Sequence, residues 1–367
     1  MEDFYKYLFR AILSLFLISI WSSAHAQENG STEEELIYPD TTWMQYASPE
    51  EAGWSSEGIE QARNFADSIG SKAVMLVYNG AIVAKWGYTK DIAPIASIRK
   101  SLFSALMGIA VEKGTIDTSS TLAELGIDDK PPLTEKEKQA RVIHLLTTSS
   151  GVYHKAAGES PGIQKPKRGS TDPGEQWYYN NWDFNALATI YEQETNTRIF
   201  EAFEEQIAEP IGMEDYNTGY TRYILQPDRS KHPAYSMWMS ARDLARFGLL
   251  YLRKGRWNGQ QIIPAEWIED SRRIHKEVPG DAVAGYGLSW WIPAGKMQEY
   301  EIYLASGSGN QSIMILPKLN IVFVHRASAI LDEGVHGLAV HDILSKLLDT
   351  RNEQEVDEPQ LIPVNKE

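Results

Sequence analysis

The sequence contains no cysteine among its 367 residues. This absence excludes disulfide bonds, thiol catalysis and thiolate-bound metals. It does not exclude export from the cytoplasm, because a chain of this length buries enough apolar surface to fold without cross-links.

Clusters of basic residues are also missing. The chain has 35 Lys and Arg against 50 Asp and Glu, which gives a formal net charge of −15. Nucleic-acid binding requires clustered cations that neutralise phosphates, so we expect no nucleic-acid partner. The histidines lack the spacing of a metal site, and no His-Glu-x-x-His helix occurs. We therefore expect no metal and no organic cofactor.

Long apolar runs are limited to residues 11–20, AILSLFLISI, which are too short for a comfortable membrane span. Ala24-His25-Ala26 follows, with small residues where signal peptidase requires them. We predict a signal peptide over 1–26 and export, most simply to the periplasm of a Gram-negative bacterium or to the medium. An uncleaved N-terminal anchor is the alternative; after cleavage we expect no stable membrane span.

The remaining chain predicts one large domain over 46–350, preceded by an acidic linker over 27–45 and followed by a disordered tail over 351–367. Two β-rich runs meet at Asn79-Gly80, a strong hairpin signal. Short strand-like runs return near the C-terminus, whereas helical periodicity dominates the middle.

This order of elements predicts an α+β fold, that is, an α/β sandwich in which helices flank an antiparallel sheet. The sheet lobe would comprise 46–130 and 286–350, and an inserted, mostly helical lobe would comprise 131–285. A ligand cleft is expected between the two lobes.

Ser97 and Lys100 open the apolar helix IASIRKSLFSALMGIAVEKG. Residues three apart on a helix lie side by side. A serine hydroxyl needs a base to become a nucleophile, and a buried lysine can lose its proton and serve as that base. Arg99 would point elsewhere into solvent. The alternative is that Ser97 only caps the helix.

A second stretch, PGEQWYYNNW, contains Tyr179-Asn180-Asn181 before another helix. A tyrosine in a cationic pocket can share a proton with Ser97, and Asn181 can bind the Lys100 amine or a substrate amide. The alternative is aromatic packing with Asn181 as the helix cap. Among the aromatic residues that could line a cleft, Trp182 is the preferred candidate for substrate binding.

A third stretch, YLASGSGNQSIMILP, places Ser306, Gly307 and Ser308 near the end of a predicted strand. Small residues there would let a substrate lie against the strand, and a backbone N–H near Ser308 would complete an oxyanion hole with that of Ser97. The alternative is a glycine-rich turn between two strands.

In this order the three stretches resemble the motifs of the penicillin-recognising serine hydrolases: class C-type β-lactamases, D-alanyl-D-alanine carboxypeptidases, and related esterases and amide hydrolases such as 6-aminohexanoate-dimer hydrolase. The resemblance extends over about residues 50 to 350. It implies that Ser97 is the nucleophile, that Lys100 is its base and that Tyr179 shares their proton network.

The third stretch departs from the family pattern, which has Lys-Thr-Gly or His-x-Gly there. Ser306-Gly307-Ser308 supplies no cation, and either serine could stand at the cationic position. We therefore predict an ester or simple amide as substrate, in preference to a β-lactam or a D-alanyl-D-alanine peptide, both of which carry a carboxylate. A β-lactamase, a carboxypeptidase and a catalytically silent relative that binds peptidoglycan fragments are the alternatives.

Overall fold

The computed structural model describes residues 36–160, 162–328, 335, 337–352 and 356–364. The predicted signal peptide and residues 27–35 of the predicted acidic linker lie outside these residues. The described residues from Ile37 onward form one compact unit, and the elements below belong to it.

Helices and strands follow the predicted class. The α-helices are α1 Ser56–Ser68, α2 Ile98–Glu112, α3 Val142–Leu146, α4 Asn181–Thr195, α5 Ile199–Phe203, α6 Ala241–Leu252, α7 Ala265–Ser271 and α8 Gly337–Asp349. The strands are β1 Met44–Tyr46, β2 Ala73–Tyr78, β3 Ala81–Gly87, β4 Ala93–Pro94, β5 Thr221–Ile224, β6 Ala234–Met239, β7 Arg256–Trp257, β8 Gln260–Gln261, β9 Lys276–Glu277, β10 Val283–Tyr286, β11 Trp291–Pro293, β12 Tyr303–Gly307, β13 Gln311–Leu316, β14 Ile321–Arg326 and β15 Leu361–Pro363.

Ten strands form the main sheet in the order β15-β1-β3-β2-β14-β13-β12-β11-β10-β9. Its neighbouring strands are antiparallel except β1 and β3, which run parallel, so the sheet is mixed. A second, three-stranded sheet has the order β4-β6-β5. Both ends of the chain contribute to the main sheet, as predicted.

Two apolar cores cover the two faces of the main sheet. Alternate residues of β2 point to opposite faces, so that Met75 and Val77 enter one core and Val74 and Leu76 the other. The first core also contains apolar residues of α2, α4 and α6. The second contains apolar residues of α1 and α8. The helix that begins after Ser97 therefore lies on the first-core face.

The hairpin predicted at Asn79-Gly80 is confirmed. β2 and β3 pair across it, and the two turn residues have φ values of 49° and 89°. A Cβ at Gly80 would lie 2.0 Å from the backbone oxygen of Ile37, so the position requires glycine for space as well as for conformation.

The prediction of a disordered tail is wrong for the part of the tail that the structure describes. Leu361–Pro363 form β15, which pairs with β1, and β1 itself begins within the predicted linker. Each strand has only three residues, too few to show a clear alternation of apolar and polar side chains. Their backbone groups are satisfied by each other at the edge of the sheet.

The lobe boundaries also differ from the prediction. β9 and β10 belong to the main sheet although both begin before residue 286. α6 packs on β2, β13 and β14 although it falls in the predicted helical lobe. Apolar periodicity locates α6 but does not show which surface it covers. Within the described part of the chain, no helix is long and apolar enough to span a membrane.

Candidate active site

Ser97 is the N-cap residue of α2 and makes no side-chain cap hydrogen bond. Its backbone is helical, with φ −78° and ψ −8°, whereas a capping serine usually has an extended backbone. The residue before it, Ala96, has a φ of 48°, which is uncommon for a residue with a side chain. The hydroxyl of Ser97 is therefore available for partners other than its own helix.

Lys100 lies one turn into α2 and is only 1% exposed. Its Nζ is 3.2 Å from the Oγ of Ser97, 2.7 Å from the hydroxyl oxygen of Tyr179 and 2.7 Å from the Oδ1 of Asn181. The structure thus brings together four residues from two of the three predicted motifs.

Burial lowers the pKa of Lys100 well below its usual value, and the positive charge of Arg99 lowers it further. Glu159 raises the pKa of Lys100, but less than the other two causes lower it, and its carboxylate lies 3.0 Å from Lys165 and 3.5 Å from Arg229. Among the described residues no carboxylate lies within 4.0 Å of the Lys100 amine. The surroundings therefore favour the neutral amine.

A neutral amine can satisfy all three of these partners. It has two N–H donors and one lone pair, while the Asn181 amide oxygen can only accept and the two hydroxyls can donate or accept. The lone pair can consequently receive the proton of the Ser97 hydroxyl, which is the direction of transfer that nucleophilic attack requires.

Tyr179 joins the amine to an aromatic wall. Its ring stacks on Trp291 with centroids 5.3 Å apart, meets Tyr286 edge-on at 6.2 Å and lies 5.4 Å from Phe184. Burial raises the pKa of Tyr179, and a hydrogen bond with Ser97 and the charge of Arg99 partly offset the rise. The phenol therefore stays protonated at rest and can donate.

The helix cap after Tyr179 is Asn180, not Asn181 as the alternative interpretation supposed. The Asn180 Oδ1 accepts from the backbone N–H of Trp182 at 3.3 Å, and its Nδ2 donates to the backbone oxygen of Val152 at 2.7 Å. With Asn180 serving as the cap, the Asn181 side chain is free to reach Lys100.

Asp183 supports the same turn and was not anticipated from the sequence. It is fully buried, and its Oδ1 accepts from the Ser150 hydroxyl at 2.6 Å and from Asn180 Nδ2 at 2.8 Å. Burial raises the pKa of Asp183 to about 8, against the effect of the Ser150 hydrogen bond. An acidic residue three positions after an Asn cap is common at the start of a helix. The sequence therefore does not predict that Asp183 is buried.

The prediction that Trp182 binds substrate is wrong. The side chain is 0% exposed, its indole N–H donates to Asp129 Oδ2 at 2.5 Å, and its ring packs edge-on against His232 at 5.4 Å. A helix turns about 100° per residue, so a side chain next to Asn181 points away from the site and into the first core. Trp291, which is partly exposed, is the tryptophan that lies against Tyr179.

Gly307, at the end of β12, lies against the segment that carries the nucleophile. A Cβ there would be 2.7 Å from the backbone oxygen of Ile95 and 3.2 Å from the backbone N of Ser97. The third predicted motif therefore meets the first through backbone rather than through a side chain.

The side chains of Ser306 and Ser308 do not lie against the segment that carries Ser97, as Gly307 does. Tyr303 and Ala305 of β12 enter the first core and Leu304 the second, so alternation places Ser306 on the face opposite to Gly307. Ser308 is exposed in the turn beyond the strand. The residue on the Gly307 face is Ala305, so the expectation that a serine side chain occupies the cationic position is wrong.

Arg99 was expected to point into solvent, but its side chain packs against the protein instead. Its Nε donates to the backbone oxygen of Tyr235, and its guanidinium lies 4.6 Å from the centre of the Tyr235 ring. No carboxylate among the described residues pairs with it. Helix geometry predicts the direction of the Arg99 side chain but not which part of the chain it meets. In the structure it meets Tyr235 of β6.

A serine hydroxyl, a buried amine and a phenol in mutual contact at a helix start are the components of acyl-transfer chemistry with a covalent intermediate. No group of three or more His, Asp or Glu in the described ranges is arranged to hold a metal ion.

Residues 57–327 match the Beta-lactamase family, and the chain belongs to that family of serine hydrolases with a penicillin-binding-like fold. The resemblance, the fold class and the enzyme class predicted from the sequence are confirmed.

Three proteins similar to this chain have low sequence identity to it. An uncharacterized protein of Alkalihalophilus pseudofirmus is 24% identical over 311 residues, which cover 72% of this chain and 86% of that protein. The D-alanyl-D-alanine-carboxypeptidase/endopeptidase AmpH of Escherichia coli K12 is 24% identical over 269 residues, covering 63% and 69%. A solved Bacillus anthracis structure assigned as a 6-aminohexanoate-dimer hydrolase superposes with a TM-score of 0.62 at 23% identity, covering 78% and 80%. This structural likeness establishes the fold.

Proposed function

We propose that this hydrolase cleaves an ester or a simple amide of a small acyl substrate through an acyl-enzyme on Ser97. The observation that carries the proposal is the Lys100 amine, which is 1% exposed, has no carboxylate partner among the described residues and lies 3.2 Å from the Ser97 Oγ. Such an amine can accept the proton of the Ser97 hydroxyl when Ser97 attacks.

In the first half-reaction the Ser97 Oγ attacks the substrate carbonyl carbon, and its proton passes to the lone pair of Lys100. Tyr179, 2.7 Å from the same amine, relays a proton to the leaving oxygen or nitrogen as the carbonyl–heteroatom bond breaks. The Asn181 oxygen, also 2.7 Å from the amine, orients it and stabilises the ammonium formed on the way. The product of this step is an ester between the acyl group and Ser97.

In the second half-reaction water attacks the acyl carbon. Tyr179 accepts a proton from that water as its own phenol proton passes to the neutral Lys100 amine, and Lys100 then delivers a proton to the Ser97 oxygen as it leaves, which restores the hydroxyl and the neutral amine. Negative charge on the carbonyl oxygen would be held by the backbone N–H of Ser97 and by one from the turn around Ser308. The close approach of Gly307 to the Ser97 amide supports this arrangement, because the two segments lie close enough to share one oxygen atom.

The substrate class follows from the side chains of β12, none of which is a cation. Ala305 is apolar and fully buried, so this strand offers no cation for a substrate carboxylate. The partly exposed rings of Tyr179 and Trp291 favour an apolar acyl or leaving group.

A β-lactamase or D-alanyl-D-alanine carboxypeptidase is the second candidate function, favoured by the similarity to AmpH. We further propose that the substrate is met outside the cytoplasm, on the basis of the apolar run and the Ala-His-Ala site.

The test compares labelling with turnover. The protein and its Ser97→Ala variant are treated with a fluorophosphonate probe, and rates are measured on p-nitrophenyl butyrate and nitrocefin. We expect labelling that the substitution abolishes, together with faster turnover of the butyrate ester. Nitrocefin as the better substrate would support the second candidate. Absence of labelling and of turnover would indicate a silent binding protein and overturn the proposal.

A further inference from the structure

Arg326, at the end of β14, is a buried cation away from Ser97 and Lys100. It is 4% exposed, and none of the described residues offers it a carboxylate. Its guanidinium donates to the Oε1 of Gln311 at 2.7 Å and to the backbone oxygens of Met239 at 2.6 Å, Ala93 at 3.1 Å and Pro94 at 3.2 Å. Burial lowers the pKa of Arg326 to about 10, which leaves it charged at neutral pH.

Gln311, the first residue of β13, is fully buried beside it. Because its Oε1 accepts from Arg326, its Nε2 must face the other way. The Nε2 donates to the backbone oxygens of Pro94 at 3.0 Å and Ser308 at 3.3 Å. Arg326 therefore determines the orientation of the Gln311 amide, and that amide has no other way to satisfy both its ends.

The two carbonyls that Gln311 joins belong to different parts of the site. Pro94 precedes Ser97 by three residues, and the intervening Ala96 has a positive φ. Ser308 follows Gly307, whose Cα faces the Ser97 amide. A single side-chain amide thus ties the nucleophile segment to the turn that lies over it.

The β-strand interactions do not fix this relation by themselves. The nucleophile segment is bound through β4 to β6, in the three-stranded sheet, and the turn belongs to β12 and β13, in the main sheet. Arg326 and Gln311 bond both the β4–β6 pair and the 308–311 turn, so they join the two sheets next to the nucleophile segment and the turn after Gly307.

We infer that Gln311 and Arg326 are positioning residues that hold the backbone of Ser97 and of the 307–308 turn at the separation needed for the oxyanion. The inference rests on the proposed function. A displacement of either segment by a fraction of an ångström weakens transition-state stabilisation more than substrate binding, because the donors must fit the oxyanion rather than the ground-state carbonyl.

Two substitutions and one control test it. Gln311→Glu keeps an oxygen for Arg326 and loses the donor to Pro94 and Ser308. Gln311→Met removes both ends of the amide at similar volume. Ser312→Ala is the control, because this neighbouring residue is also buried and its hydroxyl has no hydrogen-bond partner in the described part of the chain.

We expect kcat for p-nitrophenyl butyrate to fall about 10- to 100-fold in both Gln311 variants, with KM changed less than about 3-fold, and fluorophosphonate labelling to slow in parallel. Ser312→Ala should keep the original kcat. Rates are expressed per active site, counted by the fluorophosphonate label at completion, so that unfolded molecules do not contribute.

Per-site kcat and labelling rates in Gln311→Glu equal to those of the unsubstituted protein would overturn the inference while leaving the proposed function intact. A loss confined to the number of active sites would also overturn it, since that result indicates a role in stability alone. Failure of the unsubstituted protein to label at Ser97 or to turn over ester would instead overturn the proposed function on which it rests.

Discussion

The Nζ of Lys100 lies 2.7 Å from the hydroxyl oxygen of Tyr179 and 4.2 Å from the centre of the same ring. The amine is therefore held over the aromatic face while it contacts the phenol oxygen. The aromatic ring stabilises the protonated form of Lys100, whereas burial disfavours it. The pKa of Lys100 therefore depends on these local contacts and on nearby charges.

Replacement of Lys100 by methionine should abolish most of the turnover. The substitution keeps the buried volume but removes the base, and we expect kcat on p-nitrophenyl butyrate to fall about 10²- to 10⁴-fold. Lys113→Met, at the exposed end of the same helix, is the matched control and should retain activity. Turnover of Lys100→Met within a few-fold of the original rate would show that another group activates Ser97.

Tyr179→Phe should separate the two half-reactions. Lys100 remains to activate Ser97, and fluoride or p-nitrophenolate can leave without a proton, so labelling by a fluorophosphonate should continue. Loss of the phenol should slow release of the acyl group. We expect kcat to fall at least about 100-fold and an acyl-enzyme to accumulate that intact-mass spectrometry detects. If labelling is lost and no acyl-enzyme appears, Tyr179 is required in acylation instead.

Arg99→Gln should move the pH profile. The charge of Arg99 lowers the pKa of Lys100, so its removal should raise that pKa. Because the neutral amine is the active form, the acidic limb of kcat/KM should shift to higher pH, with little change on the alkaline plateau. An unchanged limb would mean that burial alone accounts for the state of Lys100.

Asp183→Asn should change how stability depends on pH. The carboxyl has a pKa of about 8 in the folded protein and an ordinary one near 3.8 when unfolded, so the native state binds the additional proton between these values. Its contribution to stability is therefore complete below about pH 3.8 and is lost as the pH rises towards 8. The variant should lose less thermal stability than the original protein between pH 6 and 9, whereas the exposed Asp281→Asn should follow the original curve. Parallel melting curves for the original protein and Asp183→Asn would contradict the buried proton.

Gly307→Ala should impair catalysis by displacing backbone at the site. The added methyl would meet Ile95 and the Ser97 amide, so either the strand or the nucleophile segment must shift. We expect kcat to fall at least about 10-fold. Ser306→Ala, on the opposite face of β12, should change kcat less than about 3-fold. The reverse ranking would show that the Ser306 hydroxyl contributes to the site after all.

The central cluster could be predicted because its signals are local. Ser97 and Lys100 lie one helical turn apart, and the ordered motifs bring Tyr179 and Asn181 to them, so residue type and spacing contain most of the information. The hairpin at Asn79-Gly80 was predictable for the same reason, since the turn conformation depends on those two residues themselves.

The features that failed depend on tertiary surroundings. Trp182 and Trp291 are alike in type, and only the rotation of α4 and the register of β11 decide which one contacts Tyr179. Arg99 has a solvated position by helical geometry alone, yet β6 lies across it. Asp183 has the sequence pattern of an ordinary acidic residue in the first turn of a helix, and only the structure shows that it is buried.

The pairing of β1 with β15 has a practical consequence for shortened forms of the protein. Removing residues from Leu361 onward would make β1 the edge of a nine-stranded sheet and expose the amide and carbonyl groups that pair with β15. Such an edge is a template for another polypeptide, and a truncated form should dimerise or precipitate through it while its Ser97 region stays intact.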